Sequence, residues 1–125
     1  MAYAPFDLSG KVALITGGNS GIGLGMARAL AEAGADIAIW GSNPAKNAAA
    51  LESLKPLGVR LHAVVCDIGD EAAVEAAFAE TLTALGRVDA CFANAGTYGH
   101  ASRFTALETS EWQRVMRINL DGAFF

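Results

Sequence analysis

The stretch from Val12 to Gly23, VALITGGNSGIG, constrains the fold of this chain more than any other. Val12, Ala13, Leu14 and Ile15 run straight into Thr16, Gly17 and Gly18, further glycines follow at 21 and 23, and an alanine-rich segment begins there. That order reads as a buried strand, a tight turn and a helix start. A helix beginning between Ser20 and Gly23 aims its unpaired N–H groups and the positive end of its dipole back at the turn. Such a corner suits a pyrophosphate, so Gly17, Asn19, Ser20, Gly21, Ile22 and Gly23 are candidates for holding a dinucleotide. Glycines that only pack a strand against a helix would look the same, so the turn needs support from the rest of the chain.

The order of elements supplies that support. IGLGMARALAEAG continues as a helix with Ile22, Met26, Ala29, Leu30 and Ala33 on one stripe, stopped by Gly34. Asp36 to Trp40 reads as a second strand, after which Asn43 caps a helix with Pro44 in its first turn, running from Ala45 to Leu54. Arg60 to Cys66 makes a third strand, Glu71 to Leu85 a helix halted by Gly86, and Val88 to Ala93 a fourth strand. A last helix begins at Thr109 or Ser110, with Ser110 as cap and Glu111 in the first turn, and puts Trp112, Val115, Met116, Asn119 and Ala123 on one face. Alternation with short links predicts an α/β fold, a Rossmann-type doubly wound parallel sheet in incomplete form, its first four strands with flanking helices. Ligands of open α/β sheets bind at the carboxyl ends of the strands, which puts the loop from Asn94 to His100 beside the site.

Composition narrows the function. At 125 residues, 53% apolar and 18% charged, the chain can fill one core on both faces of a sheet. A net charge of -4 with no clustered basic stripe argues against a nucleic-acid partner. MAYAPFDLSGK has neither the basic start nor the apolar core of a signal peptide, and no later apolar run is long enough to span a membrane, so a cytoplasmic protein is the expectation. Cys66 and Cys91 lie in apolar strand-like runs and read as reduced core thiols. His62 stands alone in a strand and His100 in a loop, so no metal site is expected.

TGGNSGIG at 16–23, CDI at 66–68, ANAG at 93–96 and RINLDGAFF at 117–125 together resemble the short-chain dehydrogenase/reductase family, from about Leu8 to the last residue. The resemblance implies an NAD(P)-binding domain over residues 1–125 and hydride transfer between the cofactor and an alcohol or carbonyl substrate. It gives Asp67 the adenine amino group to accept from, with the backbone of Ile68 alongside. The residues themselves also allow Asp67 to cap the helix at Glu71, although Asp70 is better placed for that. Asn94 would tie its loop to neighbouring backbone, and Ala95 and Gly96 would lie against ribose. Ala93 departs from the usual NNAG. Asn119 would distort its helix and hold a water in the proton relay, the catalytic role the resemblance assigns within these residues. As an amide on an apolar helix face it would equally satisfy backbone groups.

Neither an acid at 41 nor an arginine at 42 is present, so NADP and NAD both remain, with the balance tilted to NADP through Ser42, Asn43 and Lys46. The family's proton donor is YxxxK with an upstream serine, whereas here Tyr98 is followed four residues later by Ser102. These residues therefore read as the amino-terminal half of a longer enzyme, inactive alone, whose parent would pair as a dimer or tetramer through the helix near Ser110. The alternative is a non-catalytic dinucleotide-binding or regulatory module. Gly17→Val or Gly21→Val should abolish cofactor binding, and Asp67→Ala should weaken it by about 1 to 3 kcal/mol, as read by NADP titration. Unchanged affinity would return the turn to packing and Asp67 to capping.

Overall fold

The computed structural model describes residues 4–100 and 103–125. Ser102, the residue standing where a lysine would follow Tyr98, lies outside the described residues. β1 (Val12–Thr16), β2 (Asp36–Gly41), β3 (Leu61–Val65) and β4 (Ala90–Phe92) form one parallel sheet in the order β3-β2-β1-β4. Register runs from Val12 against Asp36 to Thr16 against Trp40 on one side of β1, and from Ala13 against Ala90 on the other. The strands most deeply covered are β1 and β2, whose side chains alternate between two cores. Val12, Leu14, Ala38 and Trp40 face one way, toward α3 (Glu71–Leu85). Ala13, Ile15, Ile37 and Ile39 face the other, toward α1 (Gly21–Glu32) and α2 (Pro44–Leu54). The doubly wound α/β arrangement expected from the alternation is present.

Local sequence accounts for the helix starts. Asn43 accepts the Lys46 N–H at 3.0 Å with Pro44 in the first turn of α2, and Asp70 accepts the Ala73 N–H at 3.2 Å at the start of α3. Gly86, at φ 85°, closes α3 in the left-handed conformation that glycine adopts without strain. α4 (Thr109–Met116) departs from expectation. Glu108, not Ser110, stands at its N-cap, without a side-chain cap, because the helix already begins at Thr109.

The buried face of α1 is also not the stripe read from the sequence. Gly23, Ala27 and Ala31 are buried, while Ile22 is 76% exposed. A helix seated close on a sheet turns its smallest side chains inward, and the larger apolar ones ring the contact. Strands β3 and β4 are shorter than the apolar runs suggested, and Cys91 is exposed where a buried thiol was expected; Cys66 is buried. β4 is an edge strand, paired on one side only, and Cys91 stands exposed on it. Among the described residues, no helix is long and apolar enough to cross a membrane.

A buried polar contact joins β2 to α3. Trp40 Nε1 donates to Thr81 Oγ1 at 2.9 Å, and Thr81 in turn donates to the Ala77 carbonyl at 2.8 Å, with Thr81 wholly buried. Thr81→Val keeps the shape but strands the indole N–H. Denaturant unfolding should show a loss of about 1 to 3 kcal/mol, and an unchanged midpoint would show that water reaches the indole.

Candidate functional site

A cavity of about 530 Å³ opens at the carboxyl ends of the strands, and it collects sequence-predicted residues from four separate segments. Gly17, Asn19, Ser20, Ile22 and Gly23 come from the turn after β1; Ser42 and Asn43 from the end of β2; Asp67 and Ile68 from the end of β3; Asn94, Ala95 and Gly96 from the loop after β4. Gly21 is outside the lining and contributes a bend at φ 53°, beside Gly17 at φ 65°. Both angles lie in the region that costs a side chain strain.

The turn is shaped by close approach as much as by dihedral angle. A Cβ at Gly23 would collide with the Gly17 carbonyl and come within 2.6 Å of Asn94 Nδ2. With hydrogen there instead, Asn94 Nδ2 donates to the Thr16 carbonyl at 3.0 Å and the Ala95 N–H donates to Thr16 Oγ1 at 3.0 Å. The ends of β1 and β4 are thereby tied together under the cavity. The Leu24 N–H closes on the Ser20 carbonyl at 3.1 Å, so the amides before it stand at the open end of α1. Ser20 is the N-cap residue and makes no side-chain cap there. Backbone donors and the dipole of this 12-residue helix thus meet at the turn, which fits an anionic bridge.

A buried amide that the motif reading did not single out organises one wall. Asn47 of α2, 4% exposed, donates from Nδ2 to the carbonyls of Gly41 at 3.0 Å and Val64 at 3.3 Å, while its Oδ1 accepts from Asn19 Nδ2 at 2.8 Å. Its sequence signal was a polar residue on the stripe completed by Ala50 and Leu54. Lys46 also lines the cavity, with its chain exposed beside Ser42 and Asn43. Cys66 lines it too. Burial, with the Asp67 and Asp70 carboxylates nearby, pushes this thiol up, so it stays neutral.

Asp67 is exposed, and each of its oxygens has a partner. Oδ1 accepts the Gly69 N–H at 2.9 Å and Oδ2 faces Arg117 Nη1 at 3.0 Å. It does not cap α3, a role Asp70 fills. Each carboxylate oxygen retains capacity for a further donor from the cavity.

Asn119 sits in a π turn, Arg117–Asp121, that interrupts the last helix, where the Gly122 N–H reaches five residues back to the Arg117 carbonyl. Asn119 is exposed, where a buried amide was expected. Both of its amide atoms are used on one residue. Oδ1 accepts the Thr97 N–H and Nδ2 donates to the Thr97 carbonyl, each at 2.7 Å. Arg114 secures the same loop, donating to Thr97 Oγ1 at 3.2 Å and the Tyr98 carbonyl at 3.1 Å. Glu111 completes the anchor by accepting the His100 N–H at 2.9 Å and pairing with Arg114 at 2.8 Å.

These features match known proteins over nearly the whole chain. Residues 11–125 match the family model described as short chain dehydrogenase. The chain belongs to the short chain dehydrogenase family. Among curated relatives, the probable NADP-dependent mannitol dehydrogenase of Yarrowia lipolytica is 37% identical over 121 residues, covering 96% of this chain and 44% of its own length. Among solved structures, NAD+-bound xylitol dehydrogenase superposes with a TM-score of 0.91 at 35% identity, over 94% of this chain and 45% of that one. A gluconate 5-dehydrogenase from Burkholderia cenocepacia in complex with NADP and tartrate gives 0.85 at 40% identity, over 95% and 46%. The chain thus spans about half the length of the family members it matches.

The loop anchor carries its own pH signature. The Arg114 guanidinium first, and then the His100 N–H, hold the Glu111 carboxyl down from 4.5 to about 2. A depressed carboxylate stabilises above its unfolded value and loses that contribution as pH falls through its folded one. The anchor should therefore be fully present above pH 4.5 and weaken from there toward about pH 2. Side-chain NMR titration of Glu111 checks this, and a midpoint near 4.5 would mean that the Arg114 pair is not formed in solution.

Proposed function

We propose that this chain is the dinucleotide-binding part of an oxidoreductase that moves a hydride between NAD(P)(H) and an alcohol or its carbonyl. The observation that carries the reading is the convergence of the glycine turn, the ends of β2 and β3 and the loop after β4 on one cavity beside the open end of α1. In this reading the backbone from Gly17 to Gly23 takes the pyrophosphate. Asp67 and the backbone of Ile68 take the adenine, and the small residues Ala95 and Gly96 leave room for ribose. A bound nicotinamide supplies or accepts the hydride.

The chain's part in proton handling falls to Asn119. Its grip on both backbone atoms of Thr97 sets the loop at the cavity, and the π turn gives it that reach. This supports its assignment to the relay. The serine, tyrosine and lysine that polarise the carbonyl and donate the proton are assigned to residues beyond these 125, in line with the half-length match to relatives.

NADP is the preferred cofactor in this proposal. No acid stands at the end of β2 to repel a 2′-phosphate, Ser42 and Asn43 offer hydrogen-bonding groups, and Lys46 offers a charge. The mannitol dehydrogenase relative is named as NADP-dependent. We place the protein in the cytoplasm, where the free thiols Cys66 and Cys91 stay reduced. The parent is taken as a homodimer or homotetramer, in which pairing through α4 would cover the half-exposed Trp112 that this helix carries. Calorimetric titration with NADP+ and NAD+ tests the proposal. Binding of both, NADP+ more tightly, is expected; tighter NAD+ overturns the preference, and binding of neither overturns the reading.

A further inference from the structure

The buried amide of Asn47 decides which atom Asn19 offers to the cavity. Asn47 Nδ2 faces the Gly41 and Val64 carbonyls, at 3.0 and 3.3 Å, and a carbonyl oxygen only accepts. Asn47 must therefore turn its NH2 toward them, which leaves its Oδ1 pointing at Asn19. Asn19 answers with its own NH2, at 2.8 Å. The atom left to Asn19 is Oδ1, an acceptor, whose partner among the described residues is the Ser20 hydroxyl at 3.4 Å, at the limit of hydrogen-bond length.

This pair of amides occupies a telling place. A Cβ on Gly41 would collide with both Asn19 Nδ2 and Asn47 Oδ1. In dinucleotide-binding sheets the end of the second strand is where an acid accepts a hydrogen bond from the ribose. Here glycine stands at the end of β2, the space beside it is filled by the clasped amides, and Asn19 lines the cavity. A neutral acceptor meets a ribose hydroxyl favourably, since the hydroxyl donates.

We infer that Asn47 is a positioning residue that locks the Asn19 amide and so gives the adenosine end of the site its acceptor for a ribose hydroxyl, in place of an acid on β2. The inference rests on the dinucleotide reading above and deepens it. The 3′-hydroxyl is common to NAD and NADP, so this acceptor serves either cofactor, while Ser42, Asn43 and Lys46 address the 2′ position.

The test uses the full chain with two probes, ADP and 3′-deoxy-ADP, the second lacking only the 3′-hydroxyl. The wild type should bind ADP about tenfold more tightly than the 3′-deoxy compound, the worth of one hydrogen bond. In Asn47→Leu and in Asn19→Ala that gap should shrink to within about twofold. Asn47→Leu removes a buried amide donor from two carbonyls and lowers the melting temperature, so Asn19→Ala, at a half-buried position, carries the test if the first variant does not fold. A purely structural role for Asn47 would lower the melting temperature and leave the ratio of the two affinities untouched. A wild type that binds NADP+ yet shows no such gap, or a variant that keeps it, overturns the inference alone. A wild type that binds neither nucleotide nor dinucleotide overturns the dinucleotide reading itself, and the inference with it.

Discussion

The close seating of α1 on the end of β1 governs the architecture of the site. Gly23 stands so near the Gly17 carbonyl and the Asn94 amide that no side chain fits, and Ala27 and Ala31 continue the same small-residue face along the helix. Close packing brings dispersion contacts and burial of both surfaces. It also aims the open end of the helix at the turn, where its unpaired N–H groups become a fixed positive pole. One steric constraint thus sets both the stability of this corner and its electrostatics.

Around that corner, side-chain amides do the work of aligning separate strands. Asn94 joins β4 to β1 through the Thr16 carbonyl, and Asn47 joins β2 to β3 through the carbonyls of Gly41 and Val64. Asn119 joins the last helix to the loop after β4. In each case a backbone carbonyl takes a hydrogen bond from the side-chain amide of another element. The cavity walls are built mostly from neutral groups, with Lys46 and Asp67 as the charged residues of the lining and Arg117 paired to Asp67. A neutral, donor-rich interior suits a ligand whose charge is concentrated in one bridge.

Much of this was legible in the amino-acid order because it depends on local chemistry. The glycine turn, the Asn43 and Asp70 caps, the Gly86 stop and the alternation of strands with helices are set by neighbours within a few residues, and all are present. What went astray depended on contacts remote in sequence. Ile22 counted as an inward residue by spacing, yet the sheet accepts only the smaller face of α1. Cys91 lies in an apolar run, but its strand is at the edge of the sheet. Arg117 was given no role of its own, and its pairing with Asp67 bridges residues 50 apart in the chain.

By itself, then, the sequence determined the parallel α/β class and the glycine turn between β1 and α1, since strand–turn–helix order and positive-φ glycines follow from backbone sterics that act locally. Tertiary structure alone decided that Asn19 would meet Asn47, that Thr97 would be gripped by Asn119, and which residues of each helix would face the sheet. Those outcomes turn on how closely elements approach and on which carbonyls are left without partners, quantities that exist only once the chain has packed.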